Sequence, residues 1–341
     1  MNMSNMSNTL SISNTLPSLP NIDGALVVDN SSLDLFQTCP WLYYVTILLR
    51  RTPAMPKAAL NFGGALHEAL RYRYSAIDHL APGDTTTTSM IEILRTHFAQ
   101  HPAPANDHRQ CELAEHFVST YNKIYKREPW TIAKWTFNNT SIIEQPIMFV
   151  LGKLSNGQTL IYTGRIDLAV RDSEGLWVLD HKSTFEFGLG FEDDMRITPQ
   201  MRGYAVGLMK ILKEQPVGYI INAIRVRKPR VMDLFDPASG VRVDDFKRQI
   251  EHFSYHELQE WQDNTLNLVE ELIWHHARGV FPLHRKSCVG KYGKCQLYDV
   301  CLIKRDQREG FLMSNVFETN DWTPLNLPNL PKEKEETKIQ K

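Results

Sequence analysis

Two aspartates and a lysine are the residues with the clearest chemical potential in this chain. Asp167 lies in the β-rich stretch Thr159–Val170, and Asp180 and Lys182 end the next one, Leu176–Lys182. Alternate residues of a strand share a face. Arg165, Asp167 and Ala169 therefore point one way and Ile166, Leu168 and Val170 the other, while Asp180 and Lys182 point together, opposed by Trp177, Leu179 and His181. Folding the two stretches about Ser173 sets Asp167 opposite Asp180. Like charges so placed are destabilising, which calls for a cation between them: Lys182 supplies one charge and a divalent metal would supply more. The Asp-x-Lys pattern carries little by itself, because Glu336-Thr337-Lys338 matches it equally well in a charged tail. Its weight comes from position, at the end of an apolar strand beside a second aspartate.

Other residues fall into step with these. Gly164-Arg165-Ile166-Asp167, Asp180-His181-Lys182 and Gln200-Met201-Arg202-Gly203-Tyr204 follow in order, with Gly63-Gly64-Ala65-Leu66-His67 upstream and Glu144 on the strand before the first aspartate. Together they resemble the PD-(D/E)xK nuclease superfamily, and within it the RecB-type branch, over Ser31 to about Arg305. The resemblance implies that His67, Asp167 and Asp180 ligate Mg²⁺ or Mn²⁺, with the His181 carbonyl as a further ligand. Oxygen donors suit both ions, and one imidazole leans towards Mn²⁺. Lys182 would orient or help deprotonate the attacking water. Gln200 and Tyr204, one helical turn apart, share a face towards Lys182 or substrate. Glu144 is open between outer support and ordinary strand residue, and Arg165 between pairing a carboxylate and touching the substrate backbone. Without the motif, His67 reads as one packed or surface histidine among 12.

Three of the five cysteines cluster as Cys288-x6-Cys295-x5-Cys301, and Cys39 stands far upstream in Phe36-Gln37-Thr38-Cys39-Pro40. A zinc ribbon normally uses two close pairs, which this layout lacks. It resembles the [4Fe–4S] staple of AddB-type and CRISPR-adaptation nucleases, one cysteine before the core and three after it. The first gap here is six residues where that family commonly has two, so zinc or free thiols stay open. Cys111 has no partner motif.

The bulk properties fit an enzyme of this kind. Apolar residues make up 42% and charged residues 23%, an ordinary globular mixture. With 38 basic against 39 acidic side chains, the net charge of −1 excludes a uniformly basic nucleic-acid binder but not a local basic groove. Arg225, Arg227, Lys228 and Arg230, and Arg278, Arg285, Lys286, Lys291 and Lys294, are the candidate phosphate contacts, with a solvated rim as the alternative, and Trp130 and Trp135 are open between stacking on bases and the core, the core being the commoner place for isolated aromatics. No base-reading motif is present, so little sequence specificity is expected; that the partner is DNA, at ends or single strands, is what the RecB-type resemblance implies. A Walker A pattern is absent, so a motor would be a separate helicase chain; a recombination or CRISPR protein is a further expected partner. The apolar run Trp41–Leu49 is too short to span a membrane, and Met1–Pro20 has no signal-peptide pattern, which together point to a cytoplasmic protein. The resemblance implies a metal-dependent deoxyribonuclease, an exonuclease or an end- or single-strand-processing enzyme of recombination, repair, phage or CRISPR-type DNA processing; a non-catalytic DNA-binding subunit and a site-specific endonuclease are the competing functions.

The elements that must position these residues follow from periodicity. Helices are expected from Ser31–Ser32 into Trp41–Leu49, from Gly63-Gly64 through Ile77, and around Ile91–Ala99 and Glu112–Tyr125. Strands follow at Ile142–Val150, Thr159–Val170 and Leu176–Lys182, with Asn156-Gly157 as a hairpin turn. A helix from Thr198-Pro199 to Lys213, a strand at Val217–Val226 and a long helix from Asp244 or Asp245 to about Arg278 complete the set. The expected fold is α/β: a restriction-endonuclease-like αβββαβ core with a central mixed sheet, a large N-terminal helical portion and a C-terminal helix plus cysteine cluster. Residues 1–28 and 311–341 are expected as tails around one nuclease domain, 29–310, with a helical insertion at about 64–135.

Overall fold

The computed structural model describes residues 16–54, 57–79, 84–228, 241–290 and 293–324. Its centre is a mixed sheet. The spine is β4 (Thr159–Arg171), flanked along one edge by antiparallel β3 (Ile143–Lys153). The other edge is shared: β1 (Ala25–Asp29) runs parallel to Leu160–Thr163, and β5 (Leu176–Thr184) runs antiparallel to Leu168–Arg171. Beyond β5 come parallel β6 (Gly218–Arg225) and antiparallel β7 (Phe246–His252). The β4–β5 register is held by a turn in which Asp172 Oδ1 accepts from the Glu174 and Gly175 backbone N–H groups and from Trp177 Nε1. Residues 164–167 of β4 thus face a fork, with β1 ending on one side and β5 peeling away on the other.

Helices cover both faces. One core packs α6 (Pro199–Leu212) and α7 (Tyr255–Arg278) onto the sheet through Met201, Tyr204, Ala205, Leu258 and Trp261. The other packs α2 (Ala58–His79), α3 (Asp84–Gln100) and α4 (Cys111–Ile124) through Phe62, Leu66, Leu70, Leu94 and Phe117. Glycines set how closely α6 approaches. A Cβ on Gly203 would stand 2.5 Å from the Tyr162 hydroxyl, and one on Gly207 2.7 Å from Ile147. A third, smaller core gathers Phe36, Tyr43, Val45, Leu272, Leu297 and Leu312 around the cysteine-bearing segments.

Several expected boundaries move, for local physical reasons. The first helix, α1 (Asn30–Thr38), is capped by Asp29 and Ser32 in a reciprocal box rather than by Ser31–Ser32. It stops at Cys39, which is extended, and resumes as Pro40–Tyr43 and a π-turn, Tyr44–Leu48. Gly63-Gly64 lies inside α2 instead of opening it, because a Cβ at Gly63 would press to 3.2 Å of Ser183 Oγ. Pro82-Gly83 lies outside the described residues, and the Thr85–Thr88 run falls within α3. The long helix begins eleven or ten residues later than expected: Phe246–His252 is a strand, and Ser254 caps α7 by accepting from Glu257 N. A further helix, α5 (Leu189–Ile197), precedes α6. Both expected tails carry structure. Residues 25–29 are β1, and after α8 (Tyr298–Leu302) and α9 (Arg308–Leu312) the chain forms β8 (Phe317–Thr319), which pairs with β2 (Arg51–Pro53).

Candidate active site

The site forms at the fork, where β4 and β5 stop sharing backbone bonds. The last ladder pair is Leu168↔Leu179, and the His181 backbone N–H donates instead to Asp167 Oδ2 at 2.8 Å. On the other edge Glu144, opposite Asp167, breaks the β3 ladder with a φ of +49°, a left-handed conformation that is strained for a residue with a Cβ. The alternation expected through β4 breaks at the same place. Ile166 joins the α6–α7 core, whereas Leu168 and Val170 join the α2–α4 core. Strain and a broken ladder on both sides put two carboxylates into one gap.

His67 enters from α2. Its Nδ1 lies 3.2 Å from Glu144 Oε1 and 3.5 Å from Asp167 Oδ2, and its Nε2 lies 3.0 Å from the His181 carbonyl oxygen. Donor atoms of His67, Glu144 and Asp167 all lie within 4.8 Å of one another. Asp180 is 1% exposed, and its Oδ2 has Lys182 Nζ at 2.8 Å, off the hydrogen-bonding direction, so a buried acceptor keeps unspent capacity. Burial and then the Asp180 charge push Asp167 up to about 7. Burial would lower His67, but Asp167 and Glu144 outweigh it and raise it to about 9. Carboxylates crowded around one gap raise each other and the imidazole among them, an arrangement that favours a cation. These residues fit a divalent metal: one imidazole, carboxylates and a backbone carbonyl.

Lys182 stands beside the carboxylates. Burial works against its charge, but Asp180 and Asp167 win and hold it as an ammonium. It donates to Gln200 Oε1 at 2.7 Å, and Gln200 Nε2 donates to the Tyr204 hydroxyl at 2.8 Å. Gly164 makes room for Tyr204, since a Cβ there would lie 2.8 Å from its ring. The cleft around the group has a volume of about 530 Å³, and its walls include Asp29, Arg71, Arg165 and, from the C-terminal segment, Trp322 to Pro324. Thr163 Oγ1 donates to the Pro324 carbonyl, and Asn320 is bound to Arg50 and Thr46, so this segment is stitched to the site's rim. A second cleft of about 510 Å³, between α1 and α7, holds Asp34, Glu257 and Glu260 but, among the described residues, no three-donor group.

A family model for the PD-(D/E)XK nuclease superfamily matches residues 30–302. The chain belongs to the PD-(D/E)XK nuclease superfamily. Its mixed α/β sheet is consistent with a restriction-endonuclease-like fold. No curated protein matches it.

For this PD-(D/E)XK chain the structure brings together His67, Glu144, Asp167, Asp180, Lys182, Gln200 and Tyr204, with the His181 carbonyl among them. Glu144, open in the sequence between outer support and ordinary strand residue, stands with His67 and Asp167 in the donor group, and Arg165 Nε lies 3.7 Å from its Oε2. Several of the candidate phosphate and stacking residues are engaged within the chain. Arg225 and Arg227 are tied to the buried Asp245 at 2.8 and 3.1 Å. Trp135 is core, and Trp130 lies under the Arg248 guanidinium. Arg230 and Lys291 lie outside the described residues.

At the other end of the molecule the cysteines converge. Cys301 and Cys295 each sense the charges of Cys39 and Cys288. Burial first and then those neighbours raise Cys301 to about 11. Backbone N–H groups of His284 and Leu297 donate to the sulfurs of Cys39 and Cys295 at 3.4 and 3.5 Å. Cys111 is separate, in α4 beside Glu115. The sequence reading missed Asp29 and Trp322 as walls of the cleft. It also missed Asn222, a buried amide in the apolar strand Gly218–Arg225, where the misplaced polarity was itself the signal.

Proposed function

We propose that this chain is a metal-dependent deoxyribonuclease of the RecB-like type, acting on DNA ends or single strands with little sequence preference. The observation that carries the reading is the convergence of His67, Glu144 and Asp167 donor atoms within 4.8 Å beside the Asp180–Lys182 pair. Mg²⁺ or Mn²⁺ held by these groups supplies Lewis-acid polarisation of the scissile phosphate and acidifies water there. The chain's own groups do the rest. Lys182, held by Gln200 and Asp180, keeps a fixed positive charge where phosphate charge develops. Tyr204 fixes the Gln200 amide so that its oxygen faces that ammonium. Asp167 and Asp180 anchor the position of the reacting group against two different strands. Exposed Arg71 and Arg165 line the cleft as backbone contacts.

We further propose that Cys39, Cys288, Cys295 and Cys301 hold a [4Fe–4S] cluster. Cys39 is buried in the third core, with Cys295 and Cys301 packed against it. Backbone N–H groups of His284 and Leu297 donate to the sulfurs of Cys39 and Cys295, a contact that also suits sulfur bound to a cluster. A cluster there would tie Cys39 to the 288–301 segment across most of the chain. No helix among the described residues is long and apolar enough to cross a membrane, and a cytoplasmic setting with a separate helicase or recombination protein accords with this reading.

The test is anaerobic purification with an absorption spectrum, followed by Mg²⁺ and Mn²⁺ cleavage assays on linear duplex, single-stranded, flap and closed circular DNA. Wild type should degrade the linear substrates and Lys182→Ala should not. No cleavage of any substrate would favour a non-catalytic DNA-binding subunit, and discrete fragments from the closed circle a site-specific endonuclease.

A further inference from the structure

The His181 side chain turns away from the Asp180–Lys182 pair, towards α2 and β6. Its ring stacks on Tyr74 of α2, with centroids 5.7 Å apart and planes at 19°. Its Nδ1 lies 2.8 Å from Asn222 Nδ2 on β6. Behind Asn222 runs a chain of buried polar groups whose proton directions the donors determine. Arg248 Nε can only donate, so Asn222 Oδ1, 3.3 Å away, accepts. Asn222 Nδ2 then donates both to His181 Nδ1 and to the Tyr121 hydroxyl at 3.0 Å. Tyr121 also accepts from Arg248 and passes its own proton to Tyr74, 2.8 Å away, which donates to Glu128 Oε1 at 3.0 Å. Glu128 closes the chain by accepting from Arg73 and Arg248 at 2.7–3.0 Å.

This is an expensive construction. The Glu128 and Arg73 side chains are 4% and 3% exposed, and two guanidiniums share one carboxylate. Aromatic faces offset part of the excess charge: Arg73 lies over Tyr74 and Tyr121, and Arg248 over Tyr125 and Trp130. Merely docking α2 and α4 onto the sheet does not require it, since buried ion networks are often replaced by apolar residues without loss of stability. Where the chain ends is informative. The same His181 donates its N–H to Asp167 Oδ2 and presents its carbonyl to His67 Nε2, so the two peptide units that flank its Cα each meet one member of the donor group. Displacing the ring shifts the Cα that joins those two units.

We propose that Asn222 and Tyr121 are positioning residues for the divalent metal: through the His181 ring they hold the His181 Cα, and with it the two flanking peptides that contact Asp167 and His67. The proposal rests on the reading of that donor group as a metal site, and it gives the helical layer a part in the chemistry. Supporting groups of this kind typically govern metal affinity by about 10–100-fold.

The experiment is titration of the full-length protein with Mn²⁺ alone, by calorimetry and by loss of the free-ion paramagnetic signal, alongside a thermal melt. Asn222→Ala should weaken Mn²⁺ about 10–100-fold. Tyr121→Phe, which keeps shape and so guards against a variant that fails to fold, should weaken it less but in the same direction. His181→Ala combined with Asn222→Ala should be no worse than either alone, because both act through one ring. Leu94→Ala, in the same helical layer but off the chain, should lower the melting temperature and leave Mn²⁺ binding unchanged. Unchanged Mn²⁺ affinity in folded Asn222→Ala and Tyr121→Phe, additive losses, or an equal loss in Leu94→Ala would overturn the proposal. Failure of wild type to bind Mn²⁺ would remove the metal-site reading and this proposal with it, whereas normal wild-type binding with unaffected variants removes this proposal alone.

Discussion

Asp29 offers a measurable trade between stability and the charge of the cleft. It caps α1, its Oδ1 accepting from Ser32 N at 2.7 Å, and its side chain also lines the cleft that holds His67 and Asp167. Burial dominates its environment and, against the Ser32 hydrogen bonds, raises it from the ordinary 3.8 to about 6. For an acid the sign is then set. The folded state binds the proton more tightly than the unfolded state, so ionising Asp29 costs stability. That cost is fully present above the folded value of about 6, shrinks as pH falls through it, and is gone below the unfolded value near 4. Its full size is about 3 kcal/mol at 1.36 kcal/mol per pH unit, and partial solvation trims it to about 1–2 kcal/mol. Asparagine caps a helix as well as aspartate does, so Asp29→Asn removes the charge and keeps the cap. Thermal melts of both proteins from pH 4 to 8 should show the variant more stable by a few degrees at pH 7–8, with the gap closing towards pH 4. A gap independent of pH, or a variant less stable at pH 8, would refute the burial argument.

Three other perturbations reach different parts of the site. Gly164→Ala places a methyl 2.8 Å from the Tyr204 ring and should cost about 1–3 kcal/mol of stability, read by denaturant melts, along with most cleavage activity, while Gly157→Ala should leave activity intact. Trp322, 37% exposed at the cleft wall, should stack an unpaired base: Trp322→Ala should raise KM for single-stranded DNA about 10-fold, and Trp322→Phe should restore most of it. Cys295→Ala should abolish the brown chromophore and lower solubility, whereas a soluble variant with an unchanged spectrum would argue against the cluster.

The site's own residues were legible because the chemistry constrains residue type: a carboxylate, lysine or histidine in an apolar strand or helix must be compensated. The turn from Asp172 to Gly175 was enough to set Asp167 across from Asp180, because the β4–β5 register follows from it, although the period of two fails between Ile166 and Leu168. What escaped was whatever depends on partners distant in sequence. β1 is five residues, too short for a periodic signal, and becomes a strand because β4 offers it an edge at Leu160–Thr163. β7 reads Phe-Lys-Arg-Gln-Ile-Glu-His, a polar stretch at home on a helix surface, and pairing with β6 overrides that preference.

Arginines escaped for a related reason. Clustered in sequence, Arg225 and Arg227 look like a phosphate patch, but Asp245, fully buried and some twenty residues on, takes both. Arg248 was lost among the polar residues of its strand, although it anchors the Asn222 chain. A cation's role depends on which acid reaches it first, and only the fold sets that. The same logic explains the strain at Glu144. A left-handed glutamate costs about 1–3 kcal/mol, and its location opposite Asp167 is where a regular strand pair would have turned the carboxylate away from His67. The irregular backbone and the donor group are one feature: relieving the first, by Glu144→Gly, should gain stability only by giving up Mn²⁺ affinity.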